Sequence, residues 1–151
     1  MLIYLVDDRG EEGEYSGFLY AHKDSLPPFE LQVFTHWAAL HKAIETQTPN
    51  IIFADMRFDE TSTADLYGDI EALANTDRFC GNKSRAEIQI RGMQGLMICR
   101  ALREHHIDVP ILLFASLPPQ VANHAIQTLA PMTIVEGLRI KVVRDFLNHN
   151  I

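Results

Sequence analysis

The sequence predicts an α/β fold: a doubly wound, five-stranded parallel sheet in a (βα)5 order. Short apolar runs alternate along the chain with segments of helical periodicity, which is typical of βαβ units. Four of the five runs are almost continuously apolar, as strands covered by helices on both faces should be. The chain has 151 residues, 47% of them hydrophobic, which suffices for a single domain over residues 1–151 with a substantial core.

The strands are predicted from these apolar runs, each bounded by turn-forming or charged residues. The second run, FELQVF, alternates apolar and polar residues, so we expect it at an edge of the sheet. The predicted strands are residues 2–6, 29–34, 51–54, 111–115 and 132–135.

Helices are predicted between the strands from apolar residues that recur every three or four positions. Tyr15, Phe18 and Leu19 form one face of a first helix, and Trp37 and Leu40 lie on the face of a second. The second helix is predicted over residues 36–47. The three that follow are predicted over residues 95–106, 117–131 and 138–150.

Residues 56–92 form a connection much longer than a strand-to-helix loop needs, so residues 57–91 are interpreted as an insertion after the third strand. Residues 57–77 carry six acids and one base, whereas residues 78–91 carry four bases and one acid. Two interpretations remain open: a solvated excursion whose halves pair with each other, or a surface for an effector domain or partner protein. Residues 64–74 predict a short amphipathic helix within it.

Charge and cysteine content exclude several classes of function. Thirteen basic against twenty acidic residues give a net charge of −7, which argues against direct binding to nucleic acid. The apolar run at the N-terminus is five residues long, so we do not expect it to be a signal peptide or a membrane span. Cys80 and Cys99 form no disulfide or zinc motif, and the seven histidines show no metal-binding spacing. We therefore expect a cytoplasmic protein.

Three aspartates stand where strands of the predicted sheet end. Asp7 and Asp8 follow the first strand, and Asp55 follows the third. Residues just past the carboxyl ends of neighbouring parallel strands converge in the crevice where such folds bind ligands. Carboxylates this close need a cation or a raised pKa, and a set of oxygen ligands suits Mg²⁺.

The chain resembles the receiver domain of two-component response regulators, which implies the flavodoxin-like (βα)5 receiver-like fold. The resemblance rests on LIYLVDD at the start, IIFADMRF around Asp55, and GMQGLMICRALREHHIDVPILLFAS over residues 92–116. It implies that Asp55 is a phosphoryl acceptor, that Asp7, Asp8 and Asp55 hold Mg²⁺, and that the main-chain carbonyl of Arg57 is a further metal contact. It also implies a signalling module, not a turnover enzyme, with a histidine kinase or a phosphotransfer protein as donor.

The chain departs from the receiver pattern at the ends of the fourth and fifth strands. Ala115 stands where receiver domains have Thr or Ser, with Ser116 next to it. Glu136 stands where they have Lys, and a carboxylate there repels a phosphoryl group. Thr133 occupies the aromatic switch position. We therefore hypothesise a divergent receiver, or pseudo-receiver, that keeps the acidic pocket and signals through protein contacts.

Two other functions remain open on the sequence. One is a small Mg²⁺-dependent phosphohydrolase or phosphotransferase with Asp55 as nucleophile; such enzymes commonly carry a second aspartate two residues later, where this chain has Arg57. The other is a scaffold that is never phosphorylated. Pairing through the last strand and helices is common among receiver domains, so a homodimer is one expected assembly.

Overall fold

The computed structural model describes all residues from Met1 to Ile151. Five parallel strands form one sheet in the spatial order β2-β1-β3-β4-β5, as predicted. Neighbouring strands are paired in parallel register, with Val6 of β1 opposite Ala54 of β3 and Asp55 of β3 opposite Phe114 of β4. The strands are β1 (Leu2–Val6), β2 (Glu30–Phe34), β3 (Ile51–Asp55), β4 (Ile111–Phe114) and β5 (Met132–Val135).

Helices connect consecutive strands and cover both faces of the sheet. The α-helices are α1 (Glu14–Ala21), α2 (Trp37–Thr46), α3 (Ile70–Ala74), α4 (Lys83–Glu104), α5 (Pro119–Thr128) and α6 (Ile140–His149). Single 3-10 turns lie at Gly10–Glu12, Lys23–Ser25 and Thr63–Asp65. No helix is long and apolar enough to cross a membrane.

The core has two layers because successive strand residues point to opposite faces. Tyr4 and Ile52 face the layer formed with α2, α4 and α5, whereas Ile3 and Phe53 face the layer formed with α1 and α6. These side chains are at most 1% exposed, and burying each one contributes roughly 1.5–3 kcal/mol. Strand β2 lies at an edge with Glu30 exposed, in agreement with its alternating pattern.

Helix α4 begins twelve residues earlier than predicted, at Lys83 instead of Gly95. The Asn82 side chain caps it by accepting the Arg85 N–H at 3.1 Å. Its first turns pack Ala86 and Ile90 into buried positions, so the apolar face continues upstream of Gly95, the predicted first residue of the helix. Local composition did not predict the earlier start of α4, because burial of one helix face outweighs the low helix propensity of glycine.

The predicted helix at residues 64–74 is regular only over α3, after the 3-10 turn Thr63–Asp65 and Gly68 with its φ of +128°. The acidic and basic halves of the insertion share a single ion pair, Lys83 to Glu71 at 2.6 Å. The first half is instead held by Arg91, whose guanidinium donates to the carbonyl oxygens of Phe58 at 3.0 Å and Thr61 at 2.6 Å. The insertion is therefore anchored on α4 by main-chain carbonyls as well as by its buried apolar side chains.

Candidate functional site

The structure brings together the three aspartates at the carboxyl edge of the sheet. Strands β1 and β3 are neighbours, so Asp7, which directly follows β1, lies beside Asp55, the last residue of β3. Carboxylate oxygens of Asp7, Asp8 and Asp55 all lie within 4.8 Å of one another. Such a cluster needs a cation or protons, because three ionised carboxylates at this spacing repel one another.

Asp7 is the most deeply placed of the three and is only 2% exposed. Its Oδ1 accepts the Arg9 N–H at 3.0 Å, but its Oδ2 is buried without a hydrogen-bond partner. A buried carboxylate oxygen without a partner is costly, and a bound cation would compensate for it. Burial and the nearby charge of Asp55 raise the pKa of Asp7 to about 7.

Gly13 makes this burial feasible because its backbone passes directly over Asp7. A Cβ atom at Gly13 would lie 2.2 Å from Asp7 Oδ2, so only glycine fits here. The turn before α1 therefore closes one side of the site.

Asp55 is oriented by two hydrogen bonds to the same oxygen. Its Oδ1 accepts the Tyr15 hydroxyl at 2.9 Å and the Met56 N–H at 2.8 Å, which leaves Oδ2 free of protein donors. Burial raises the pKa of Asp55, and burial together with the Asp55 charge raises that of Tyr15 well above its usual range. The Tyr15 phenol consequently remains a neutral donor at physiological pH.

Tyr15 was predicted from the sequence only to lie on a helix face, and its contact with the site was not predicted. Its ring stacks on Phe114 at the end of β4, with centroids 4.6 Å apart and 28° between the planes. No sequence signal connected residue 15 with residue 55, because the contact depends on how α1 packs over the sheet. Tyr15 therefore joins Asp55 to the β4 side of the cleft.

Gly95 lets α4 approach the end of β3 closely. Its N–H donates to the Met56 carbonyl at 2.9 Å, and a Cβ atom there would lie 1.9 Å from the Asp55 carbonyl oxygen. Helix α4 thus holds the main chain that presents Asp55.

Asp8 and Arg57 form the rim beside the insertion. Asp8 Oδ2 accepts the Glu60 N–H at 2.7 Å, which ties the start of the insertion to the acidic cluster. The Arg57 side chain pairs with exposed Asp59 at 3.3 Å, and its carbonyl accepts no hydrogen bond from the protein. That carbonyl is therefore free to serve as the metal contact that the receiver resemblance implies.

The ends of β4 and β5 form the opposite wall of the same cleft, whose volume is about 700 Å³. Ala115 is buried, whereas Ser116 turns outward and donates through its hydroxyl to Glu136 Oε1 at 3.1 Å. Lys141 pairs with Asp145 at 2.6 Å on α6 and does not line the cleft. The wall that carries a lysine in receiver domains therefore carries a carboxylate bonded to a serine.

The donor set suits a hard cation. Carboxylates and a main-chain carbonyl are the oxygen ligands that Mg²⁺ takes together with water. The buried, unpartnered Oδ2 of Asp7 and the free Oδ2 of Asp55 fit such an ion. Arg9, the other cation at the rim, lies 3.8 Å from Glu60 and leaves the three aspartates without a basic partner of their own.

Comparison with solved structures identifies the fold. The chain is similar to the receiver domain of the Francisella response regulator 1452, with a TM-score of 0.63 and 11% identity over 98% of this chain and 93% of that one. It is also similar to the receiver domain of nitrogen regulatory protein C (TM-score 0.63, 14% identity, 99% and 92% covered). The receiver domain of NtrX from Brucella abortus gives a TM-score of 0.59 at 15% identity, with 97% and 98% covered.

The chain matches no protein-family model and no curated protein sequence. The likeness therefore lies in backbone architecture, which extends over nearly the whole of both chains. The resemblance drawn from the DD, Asp55 and 92–116 motifs is confirmed at the level of the fold: this protein has the fold of response regulator receiver domains.

Proposed function

We propose that the protein is a divergent receiver module of two-component signalling, which binds Mg²⁺ in its acidic cleft and transmits its state by association with other proteins. Asp7, Asp8, Asp55 and the Arg57 carbonyl would hold the ion. The observation that carries the proposal is the convergence of three carboxylates within 4.8 Å around a buried, unpartnered Asp7 oxygen.

Asp55 is the proposed phosphoryl acceptor. Tyr15 and Met56 occupy its Oδ1, so the free Oδ2 is the oxygen that would attack phosphorus. The O–P bond would form as the P–N bond of a donor phosphohistidine breaks. The metal would neutralise charge on the phosphoryl oxygens, and the protein would contribute mainly positioning.

The proposed donor is a histidine kinase or a phosphotransfer protein, and the proposed output is binding of an effector domain or partner protein. The insertion is a suitable surface for that partner because Asp8 contacts its beginning at Glu60. Neither nucleic acid nor a membrane is an expected direct partner. The proposed location is the cytoplasm, and no catalytic turnover is proposed.

The test is a Mg²⁺ titration with and without beryllofluoride, a phosphoryl mimic, followed by Trp37 fluorescence and by oligomer mass. We expect saturable Mg²⁺ binding that raises thermal stability by the increment linkage predicts. Asp55→Asn should lower the affinity for Mg²⁺ at least tenfold, because it removes a charged ligand. Asp59→Asn, which alters an exposed acid on the same rim, is the control and should leave binding unchanged. Absence of any Mg²⁺-dependent change in wild-type protein would contradict the proposal.

A scaffold that is never phosphorylated is the second candidate. It is favoured by the Ser116–Glu136 hydrogen bond at the ends of β4 and β5, where receiver domains contact the phosphoryl group. In this candidate the acidic pocket is vestigial, so it predicts neither Mg²⁺-dependent stabilisation nor beryllofluoride binding. Modification of Asp55 by acetyl phosphate, abolished in Asp55→Asn, would exclude it.

The phosphohydrolase alternative finds less support. The position two residues after Asp55 holds Arg57, whose side chain is paired with exposed Asp59. Hydrolysis of a generic phosphate ester by wild-type protein but not by Asp55→Asn would favour it.

A further inference from the structure

A second group of metal-binding side chains lies where α2 meets the C-terminal end of α4. His41 is on α2, and His105 directly follows α4. Their ring centroids are 4.5 Å apart, with 49° between the ring planes. The two imidazoles come from distant parts of the sequence, so their proximity is a product of the tertiary fold.

Trp37, one helical turn before His41, holds this pair in place. Its ring is nearly parallel to that of His41, at 9° and 4.9 Å, and lies 5.6 Å from that of His105. On its far side it packs against Tyr67 at 5.4 Å. The His41 ring is therefore restrained by stacking, and the sole tryptophan of the chain reports on both histidines.

The ring nitrogens of His41 and His105 are available to a ligand. Among the seven histidines, only His36 has a ring nitrogen hydrogen-bonded within the protein, to Thr35 Oγ1 at 3.1 Å. His41 is half-buried and His105 is exposed, so solvent ions reach both rings. No carboxylate forms an ion pair with either histidine.

Two imidazoles without protein hydrogen bonds, at this separation, can both coordinate one borderline transition-metal ion. Metal–nitrogen distances of about 2.0–2.1 Å place two nitrogens bound side by side to one ion about 3 Å apart. Rings 4.5 Å apart can present nitrogens at that spacing. Imidazole suits Cu²⁺, Ni²⁺ and Zn²⁺, whereas Mg²⁺ prefers the carboxylates of the acidic cleft.

We propose that His41 and His105 together bind one divalent transition-metal ion, Cu²⁺ more tightly than Zn²⁺, at a site separate from the acidic cleft. Water completes the coordination of the ion. The chain's net charge of −7 favours the approach of a cation, and neither ring has to exchange a protein hydrogen bond for the metal.

The experiment is a CuCl₂ titration of the full chain in excess Mg²⁺, the ion proposed for the acidic cleft. Trp37 fluorescence measures the affinity and calorimetry the stoichiometry. We expect saturable quenching at one Cu²⁺ per chain and weaker, non-quenching binding of ZnCl₂. His41→Gln and His105→Gln should each weaken Cu²⁺ binding at least tenfold. His22→Gln is the matched control, because His22 also packs beside an aromatic ring, that of Phe18, at 4.6 Å.

His105→Gln keeps the stacking of Trp37 on His41, so the loss of Cu²⁺ binding in this variant cannot be attributed to a disturbed α2. Circular dichroism should show each variant to be folded. Quenching that fails to saturate, Cu²⁺ binding retained by His105→Gln, or an equal loss in His22→Gln would each overturn the proposal.

Discussion

The two halves of the carboxyl edge of the sheet differ in charge and in burial. At the ends of β1 and β3, the buried Asp7 and the half-buried Asp55 lie close to Asp8. At the ends of β4 and β5, Ser116 and Glu136 are exposed and bonded to each other. The β1/β3 half suits a cation, whereas the Glu136 carboxylate in the β4/β5 half repels an anion. Cation binding and phosphoryl binding are therefore separable properties of this cleft.

A single aromatic side chain connects the two halves. Tyr15 donates to Asp55 on the β3 side and stacks on Phe114 at the end of β4. Since lysine is absent from the β5 wall, this phenol is the one side chain that donates to Asp55. The comparison predicts that the β1/β3 half responds to changes in packing and pH, whereas the β4/β5 half responds to changes in charge.

The largest effect should come from Gly95→Ala. The added methyl group would overlap the Asp55 carbonyl and force α4 away from the end of β3, at a cost of roughly 3 kcal/mol in the free energy of unfolding. Gly92→Ala, on the same helix, meets only an Arg57 side-chain nitrogen at 3.6 Å, and should be neutral or stabilising by about 0.5–1 kcal/mol. Urea denaturation measures both. Equal stabilities for the two variants would show that α4 does not press on β3.

Glu136→Lys should strengthen the binding of a phosphoryl mimic, because it replaces a repulsive carboxylate by an attractive ammonium group at the end of β5. We expect beryllofluoride, with Mg²⁺ present, to bind roughly tenfold or more tightly, about 1.4 kcal/mol or more. Mg²⁺ binding alone should change little or weaken slightly. Glu30→Lys, an exposed acid on the edge strand, makes the same charge change far from the cleft and controls for net charge. If both variants respond equally, the two halves are not separable.

The pH dependence of stability should report on the β1/β3 half. Burial raises the pKa of Asp7 from 3.8 to about 7 and raises that of Asp55 as well. Between these two values the folded protein binds more protons than the unfolded chain. Without divalent cations, stability should therefore be greatest near pH 4 and fall as the pH rises to 7, by roughly 3 kcal/mol.

Mg²⁺ should flatten this profile, because the ion stabilises the ionised carboxylates that protons otherwise neutralise. Asp7→Asn should remove most of the slope, whereas Asp59→Asn should preserve it. Thermal unfolding at pH 5.5 and pH 8 measures the difference. A profile that rises with pH in wild-type protein would contradict the assignment of Asp7.

The smallest effect should come from Tyr15→Phe, which keeps the stacking on Phe114 and removes only the hydroxyl. Loss of one hydrogen bond to Asp55 should raise the carboxyl pKa and weaken Mg²⁺ binding at pH 7 by about 1 kcal/mol, roughly fivefold. Tyr20→Phe, an exposed tyrosine on the same helix, should leave Mg²⁺ binding unchanged. Calorimetry of the two variants distinguishes them. Equal affinities would show that Tyr15 does not position Asp55.

Patterns local in sequence were sufficient for most of the architecture. Apolar runs predicted five strands to within a residue or two. Four of the runs are almost continuously apolar, as expected for strands covered on both faces, and the alternating run predicted the edge strand β2. The placement of Asp7, Asp8 and Asp55 followed from topology, since parallel neighbours end at the same edge. The predicted start of α4 was wrong because the first turns of this helix are stabilised by packing against the insertion and not by helix propensity.

The sequence by itself determined the fold class and the acidic cluster, because periodicity and strand-end position are properties of local residue order. Only the tertiary structure decided which side chains from separate elements meet: Tyr15 with Asp55, Ser116 with Glu136, and His41 with His105. The physical reason is that such contacts depend on how helices dock on the sheet. Docking is fixed by the packing of the whole core, and no single segment encodes it.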